Sequence, residues 1–124
     1  MPTTGTIQSL RVWATGSIAS GAAISNDIDL MGYRPAAFDC SSGWDAANKT
    51  TFRVSQDATT WYDLYTDLGA EYQFASGVLV SATSRCIVPS IDLSLALQAH
   101  KFMRVKSAAN LTTGFSFSVL LVPM

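Results

Sequence analysis

The chain has 124 residues, 48% hydrophobic and only 14% charged, with eight Lys and Arg against nine Asp and Glu. That length makes one domain with a real core, and a net charge of −1 with no run of either sign leaves no basic face for nucleic acid. No apolar stretch approaches the roughly 20 residues of a spanning helix, so no membrane partner is expected either. Met1 to Thr6 lacks a basic segment followed by an apolar run, so no signal peptide is expected and synthesis is expected in a cytoplasm. A surface this poor in charge opposes contact between copies only weakly, which favours association.

In chain order, residues 1–6 read as a flexible arm and residues 7–124 as one domain. From Ile7 to Ala14 the alternation places Leu10 and Val12 on one face and Ser9, Arg11 and Trp13 on the other. Thr15-Gly16-Ser17 is expected to break this strand, and Ser20-Gly21 to break the chain again. Ile24, Ile28 and Leu30 predict a strand that Gly32 ends, and Arg34-Pro35 opens an extended segment through Phe38 and Cys40. Ser41 to Asn48 reads as a loop, with one helical turn expected at Trp44–Ala47.

The stretch from Thr51 to Glu71 predicts a hairpin. Phe52 and Val54 alternate with Thr51, Arg53 and Ser55, as in a half-buried strand. Gln56 to Thr60 supply turn chemistry, because the Asp57 carboxylate can accept from the amides just after it. Trp61 to Tyr65, with Leu64, reads as the return strand carrying an aromatic cluster, and Gly69 marks a second turn.

Two short β-prone pieces follow at Gly77–Val80 and Arg85–Val88, the second stopped by Pro89. Ser90 to Ala99 is the only helical stretch, with Asp92 as its expected cap. Lys101 to Lys106 alternates again, Met103 and Val105 inward and Arg104 and Lys106 outward. Phe115, Phe117, Val119 and Leu121 form one face of a final strand. About eight or nine short strands separated by Gly, Pro and Asn turns predict an all-β, single-domain antiparallel β-sandwich or jelly roll.

The other face of the last strand runs Ser116, Ser118, Leu120, Val122, so it begins polar and finishes apolar. Either the sandwich covers its own end there, or Leu120, Val122 and Met124 pack on a neighbouring copy, and Trp13 either joins that contact or, more commonly for such a residue, lies flat over the surface.

Residues for catalysis are sparse. His100 is the only histidine and has no marked partner, and neither Cys40 nor Cys86 has a C-x-x-C mate, so no metal or cofactor is expected. The two cysteines permit one disulfide, but the favoured reading is two small buried apolar side chains. Asp57, Asp63, Asp67 and Glu71 fall in one stretch, where turn-building is expected over acid–base work. Gly16 to Gly21 lacks the Lys-Ser/Thr of a phosphate loop, and no calcium loop is present. No enzyme activity is expected.

Ser55-Gln-Asp57 with Thr60-Trp61 resembles the structural Asp-box turn of sialidases, one residue short and without its Gly. The chain also faintly resembles discoidin-type carbohydrate-binding sandwiches, for which Trp44, Trp61 and Tyr62 are the candidate sugar platforms.

A longer resemblance covers about residues 24–122. Ile28-Asp-Leu-Met-Gly-Tyr-Arg34, Trp44-Asp-Ala-Ala-Asn48, Thr51-Phe-Arg-Val-Ser-Gln-Asp57, Trp61-Tyr-Asp-Leu-Tyr65, Gly69-Ala-Glu71 and Phe102-Met-Arg-Val-Lys-Ser107 stand in the order seen in a family of small tailed-phage virion structural proteins. Ala58 stands where that family often has Gly, and Ser107-Ala-Ala-Asn110 replaces its usual Ser-Gly-Thr, so both loops are expected to differ in shape. The resemblance implies a capsid decoration (cement) protein on the outer capsid surface of a virion. Its partners would be the major capsid protein and further copies of itself, commonly as a homotrimer. A head-fibre or tail component is the nearest variant of that reading, and a carbohydrate-binding module the alternative.

Overall fold

The computed structural model describes residues 11–41, 44, 49–74 and 85–123. The strands are β1 (Val12–Ile18), β2 (Ile28–Asp29), β3 (Arg34–Cys40), β4 (Thr50–Ser55), β5 (Tyr62–Asp63), β6 (Arg85–Ile87), β7 (Phe102–Ser107) and β8 (Phe115–Val122), with helix α1 (Ile91–Gln98) between β6 and β7. They form two four-stranded sheets, ordered β1-β8-β3-β6 and β2-β7-β4-β5. Every pairing is antiparallel. The chain crosses from sheet to sheet except at the β4–β5 hairpin, and this order is that of an eight-stranded jelly roll. The expected all-β sandwich is therefore the fold.

The core is the inner face of both sheets. Phe115, Phe117, Val119 and Leu121 of β8 are buried, as their alternation predicts, and so are Met103 and Val105 of β7 and Phe52 and Val54 of β4. Phe38, Phe52 and Phe74 meet edge-on or tilted, with centroids 5.2 to 6.1 Å apart. Each such pair contributes on the order of 1 kcal/mol beyond its buried area. Trp44 is also buried, its ring edge-on to Phe115 at 4.9 Å.

Four local expectations are corrected. The strand β1 does not break at Thr15-Gly16-Ser17 but runs through it, because Gly16 lies directly opposite Phe117 and leaves room for that ring. The helix is capped by Ser90, whose hydroxyl accepts from the Leu93 amide, while Asp92 sits in the first turn, where its charge suits the helix N-terminus. The aromatics of the return strand form no core cluster, since Tyr62 and Tyr65 are exposed. That return strand is also short, β5 holding only Tyr62 and Asp63 before Leu64 donates to Phe52 and turns inward. The fourth concerns the thiols: Cys40 is buried, but Cys86 is exposed, and both are free.

Other turns follow their residues. The Leu30 carbonyl accepts from Tyr33 across Met31 and Gly32, both at positive φ, which makes a type I′ turn where Gly32 was expected to end the strand. Gly69, at φ 87°, closes the second hairpin, in which Thr66 and Ala70 pair. Residues 1–6 and 77–80, and the helical turn expected after Trp44, lie outside the described residues.

Helix α1 occupies the edge of the first sheet where β6 stops. Strand β6 reaches only as far along β3 as Phe38, so among the described residues no strand pairs with the first half of β3 on that side. The helix takes the place: Ser94 Oγ donates to the Pro35 carbonyl at 2.7 Å, and Leu93 and Leu97 enter the core.

Candidate functional site

The inner residues of β1, β8, β3 and β6 being fixed in the core, the alternate residues make one outer face, and the register arranges them in rows. Trp13 lies opposite Leu120, and Leu120 opposite Ala37. The Phe38–Ile87 pair then sets Val88 beside Ala37 at the end of β6. Trp13 is 52% and Val88 76% exposed, and Leu120 and Ala37 are half-buried, so an apolar row crosses the whole face.

Charge lies on either side of this row. Toward one end of the strands Val122 pairs with Arg34, and Arg11 follows in register on β1. Toward the other end come Thr15, Ser118, Asp39 and Cys86, then Ser17 and Ser116. Arg34 and Asp39 reach the same face because of an irregularity between Pro35 and Ala37, where Ala36 is the extra residue. Unbroken alternation would set them on opposite faces. Of the expected contact residues, the fold brings Trp13, Leu120 and Val122 together, while Met124 lies outside the described residues. Ala37, Val88, Arg34 and Asp39 were not apparent in the sequence, because only pairing register places them here.

The hydroxyl rows floor an open concavity of about 740 Å³, lined by Thr15, Ser17, Asp39, Cys86, Ser116 and Ser118 among others. Within it the Cys86 thiol bonds the Asp39 carboxylate, which raises the thiol's pKa. Cys40 is pushed up to about 12, mainly by burial and then by the charges of Asp39 and Cys86. Both thiols therefore stay protonated at neutral pH, and neither is an activated nucleophile. The free edge of β1 is blunted as well: Ser17 N–H donates to Asn26 Oδ1 at 2.9 Å, and Asn26 Nδ2 donates to the Thr15 carbonyl at 3.5 Å.

The second sheet's outer face is closed on itself. Arg53 and Arg104 lie directly opposite each other, a repulsive arrangement that two carboxylates offset. Arg104 Nε meets Asp27 at 2.6 Å, and Asp63 stands 3.2 Å from Arg53 Nε and 3.7 Å from Lys106 Nζ. The Arg53 contact is Coulombic only, since that Nε is buried without an aligned hydrogen-bond acceptor. The Arg104 guanidinium covers the Trp61 ring at 3.9 Å.

These contacts decide the remaining candidates. Of the sugar platforms, Trp44 is buried and Trp61 is covered, which leaves Tyr62 exposed by itself. Asp57 Oδ1 accepts from the Thr59 and Thr60 amides at 2.8 Å each, the turn role expected of it, and Ser55 supports the same turn. The Thr60 and Thr59 amides and the Ser55 hydroxyl hold the Asp57 carboxyl below its ordinary pKa. His100 Nδ1 donates to the Ala96 carbonyl at 3.0 Å. Among the described residues, no three His, Cys, Asp or Glu side chains gather as metal ligands, and no helix is long and apolar enough to cross a membrane.

Fold and face together define a small jelly-roll domain with an apolar row on one outer sheet face and charge to either side of it. Compared with protein-family models, with curated proteins and with solved structures, the chain finds no match in any of the three.

Proposed function

We propose that this chain is a non-enzymatic structural protein of a phage virion, a capsid decoration protein that adheres to the shell and to its own copies through the outer face of the β1-β8-β3-β6 sheet. The observation that carries this reading is the apolar row of Trp13, Leu120, Ala37 and Val88, because exposed contiguous apolar surface marks contact sites. The phage-like motif order supports it, and so does the low charge of the chain. The jelly roll occurs in viral capsid proteins and also in lectins and cupins, so the fold supports the reading by analogy alone.

The mechanism is adhesion without chemistry. Each contact is modest, but many copies on a repeating shell act together, and each bound copy raises the effective concentration for the next. The major capsid protein is the partner in this reading, and the outer surface of the capsid the location.

The test is co-sedimentation of the purified protein with shells assembled from the major capsid protein of the same genome. The wild-type chain pellets with the shells, and the variant carrying Leu120→Asp and Val122→Asp, folded by circular dichroism, stays in the supernatant. Failure of the wild-type chain to pellet, together with retention on a glycan array, would replace this reading by the carbohydrate-binding one.

A further inference from the structure

We propose that two copies of this chain pair face to face through the β1-β8-β3-β6 sheet, about a two-fold axis lying along the Trp13–Leu120–Ala37 row, with Arg34 of each copy against Asp39 of the other. The inference rests on the adhesive reading above and names the partner of that face in free solution, a second copy, which competes with the shell for it.

A two-fold contact needs a surface that complements itself after rotation. Along β3 the outward residues run Arg34, Ala37, Asp39, with the irregularity at Ala36 falling between the first two. Residues on one face of a strand repeat about every 7 Å, so the arginine and the aspartate sit about one row to either side of the apolar row. An axis along that row leaves the row facing itself and exchanges its two sides. Trp13 then meets Trp13, Leu120 meets Leu120, and Arg34 meets Asp39 twice, once in each direction. The Val122 side likewise faces the Ser118 side, and Arg11 faces Thr15.

The sign of the charges selects this axis. Turning the copies about an axis along β3 would set Arg34 against Arg34 and Asp39 against Asp39, and an axis along β8 would carry β3 onto β1 and set Arg34 against Arg11, both of which like-charge repulsion opposes. Packed sheets stand about 10 Å apart, a gap that a long arginine and a short aspartate fill together.

Among the described residues neither group is spent on an ion pair. The Arg34 side chain has no ion pair or hydrogen bond among the described residues, and Asp39, which is exposed, has only the Cys86 thiol. The cations and acids that meet on the other sheet's outer face already have partners: Arg53, Arg104 and Lys106 lie against Asp63 and Asp27.

A charge swap tests the arrangement. Light scattering and sedimentation at micromolar concentration give the wild-type chain twice its 13.3 kDa mass. Arg34→Asp and Asp39→Arg, made singly, each spoil both symmetric contacts and raise the dissociation constant about tenfold or more. The double variant Arg34→Asp/Asp39→Arg rebuilds both contacts with reversed polarity and returns to within about threefold of wild type. Thermal melts of all three variants establish that they fold. A double variant no tighter than the singles, or a wild-type mass of one or three chains, overturns the two-fold pairing. If Leu120→Asp abolishes association while the double swap fails to restore it, the adhesive face stands and only this arrangement falls. A wild-type monomer that also fails to bind shells removes both.

Discussion

Gly16→Ala is the sharpest test of how this sandwich is packed. A Cβ on Gly16 would stand 2.2 Å from Phe117 Cζ and under 3 Å from both neighbouring ring carbons. Phe117 has little room to retreat, being 3% exposed and stacked on Phe115 at 6.1 Å. Forcing a methyl into a filled core costs about 1–3 kcal/mol. Replacing a strand glycine returns about 0.5–1 kcal/mol through the unfolded chain. The net expectation is a loss of about 1–2 kcal/mol, which for a domain of this size lowers the melting temperature by roughly 4–8 °C. Denaturant and thermal unfolding measure it, and the same substitution beside Phe117→Leu supplies the cycle. With the ring removed, Gly16→Ala becomes neutral or stabilising. A Gly16→Ala variant as stable as wild type, with no coupling to position 117, would refute the packing argument.

Three further outcomes follow from particular residues. Ala58 holds φ 61° in the Asp57 turn, so Ala58→Gly relieves left-handed strain and raises stability by about 0.5–1 kcal/mol in guanidinium titration. Asp57 has a folded pKa below its ordinary 3.8, so its stabilisation is present above that value and is lost as pH falls through the folded one. Asp57→Asn therefore flattens the acid side of the stability–pH curve, and an unchanged acid limb would count against the turn's electrostatics. In the native protein a thiol reagent at pH 8 labels Cys86 alone, slowly, and Asp39→Asn speeds it, whereas Cys40 reacts only after unfolding. Mass spectrometry of labelled peptides reads both sites.

How much was legible in the sequence depended on the range of the physics. Strand β8 could be read directly, because Phe115, Phe117, Val119 and Leu121 repeat with the pleat and leave one solution for which face is buried. The Asp57 turn was equally legible, since carboxylate and amides are neighbours in the chain. Gly16 was not: a glycine reads as a breaker unless the ring lying over it is known, and that ring comes from the last strand. Nor was the helix cap, where Ser90 and Asp92 are both acceptable by residue type and the backbone chooses between them.

The candidate site divides the same way. Trp13, Leu120 and Val122 stood out as large apolar side chains on the wrong face of their strands, a local anomaly. Ala37, Val88, Arg34 and Asp39 join them only through the β3–β8 and β3–β6 registers. The irregularity at Ala36, which puts Arg34 and Asp39 on one face, leaves no mark in the alternation of the sequence.

The most direct test of the account is the solution mass of the wild-type chain beside Leu120→Asp and Trp13→Glu, by light scattering at micromolar concentration with circular dichroism as the folding control. The expected result is a wild-type mass of twice 13.3 kDa and folded single chains for both variants. Variants that keep the wild-type mass while folded, or a wild-type chain that runs as a single copy and also fails to bind shells, would contradict the assignment of this face as adhesive.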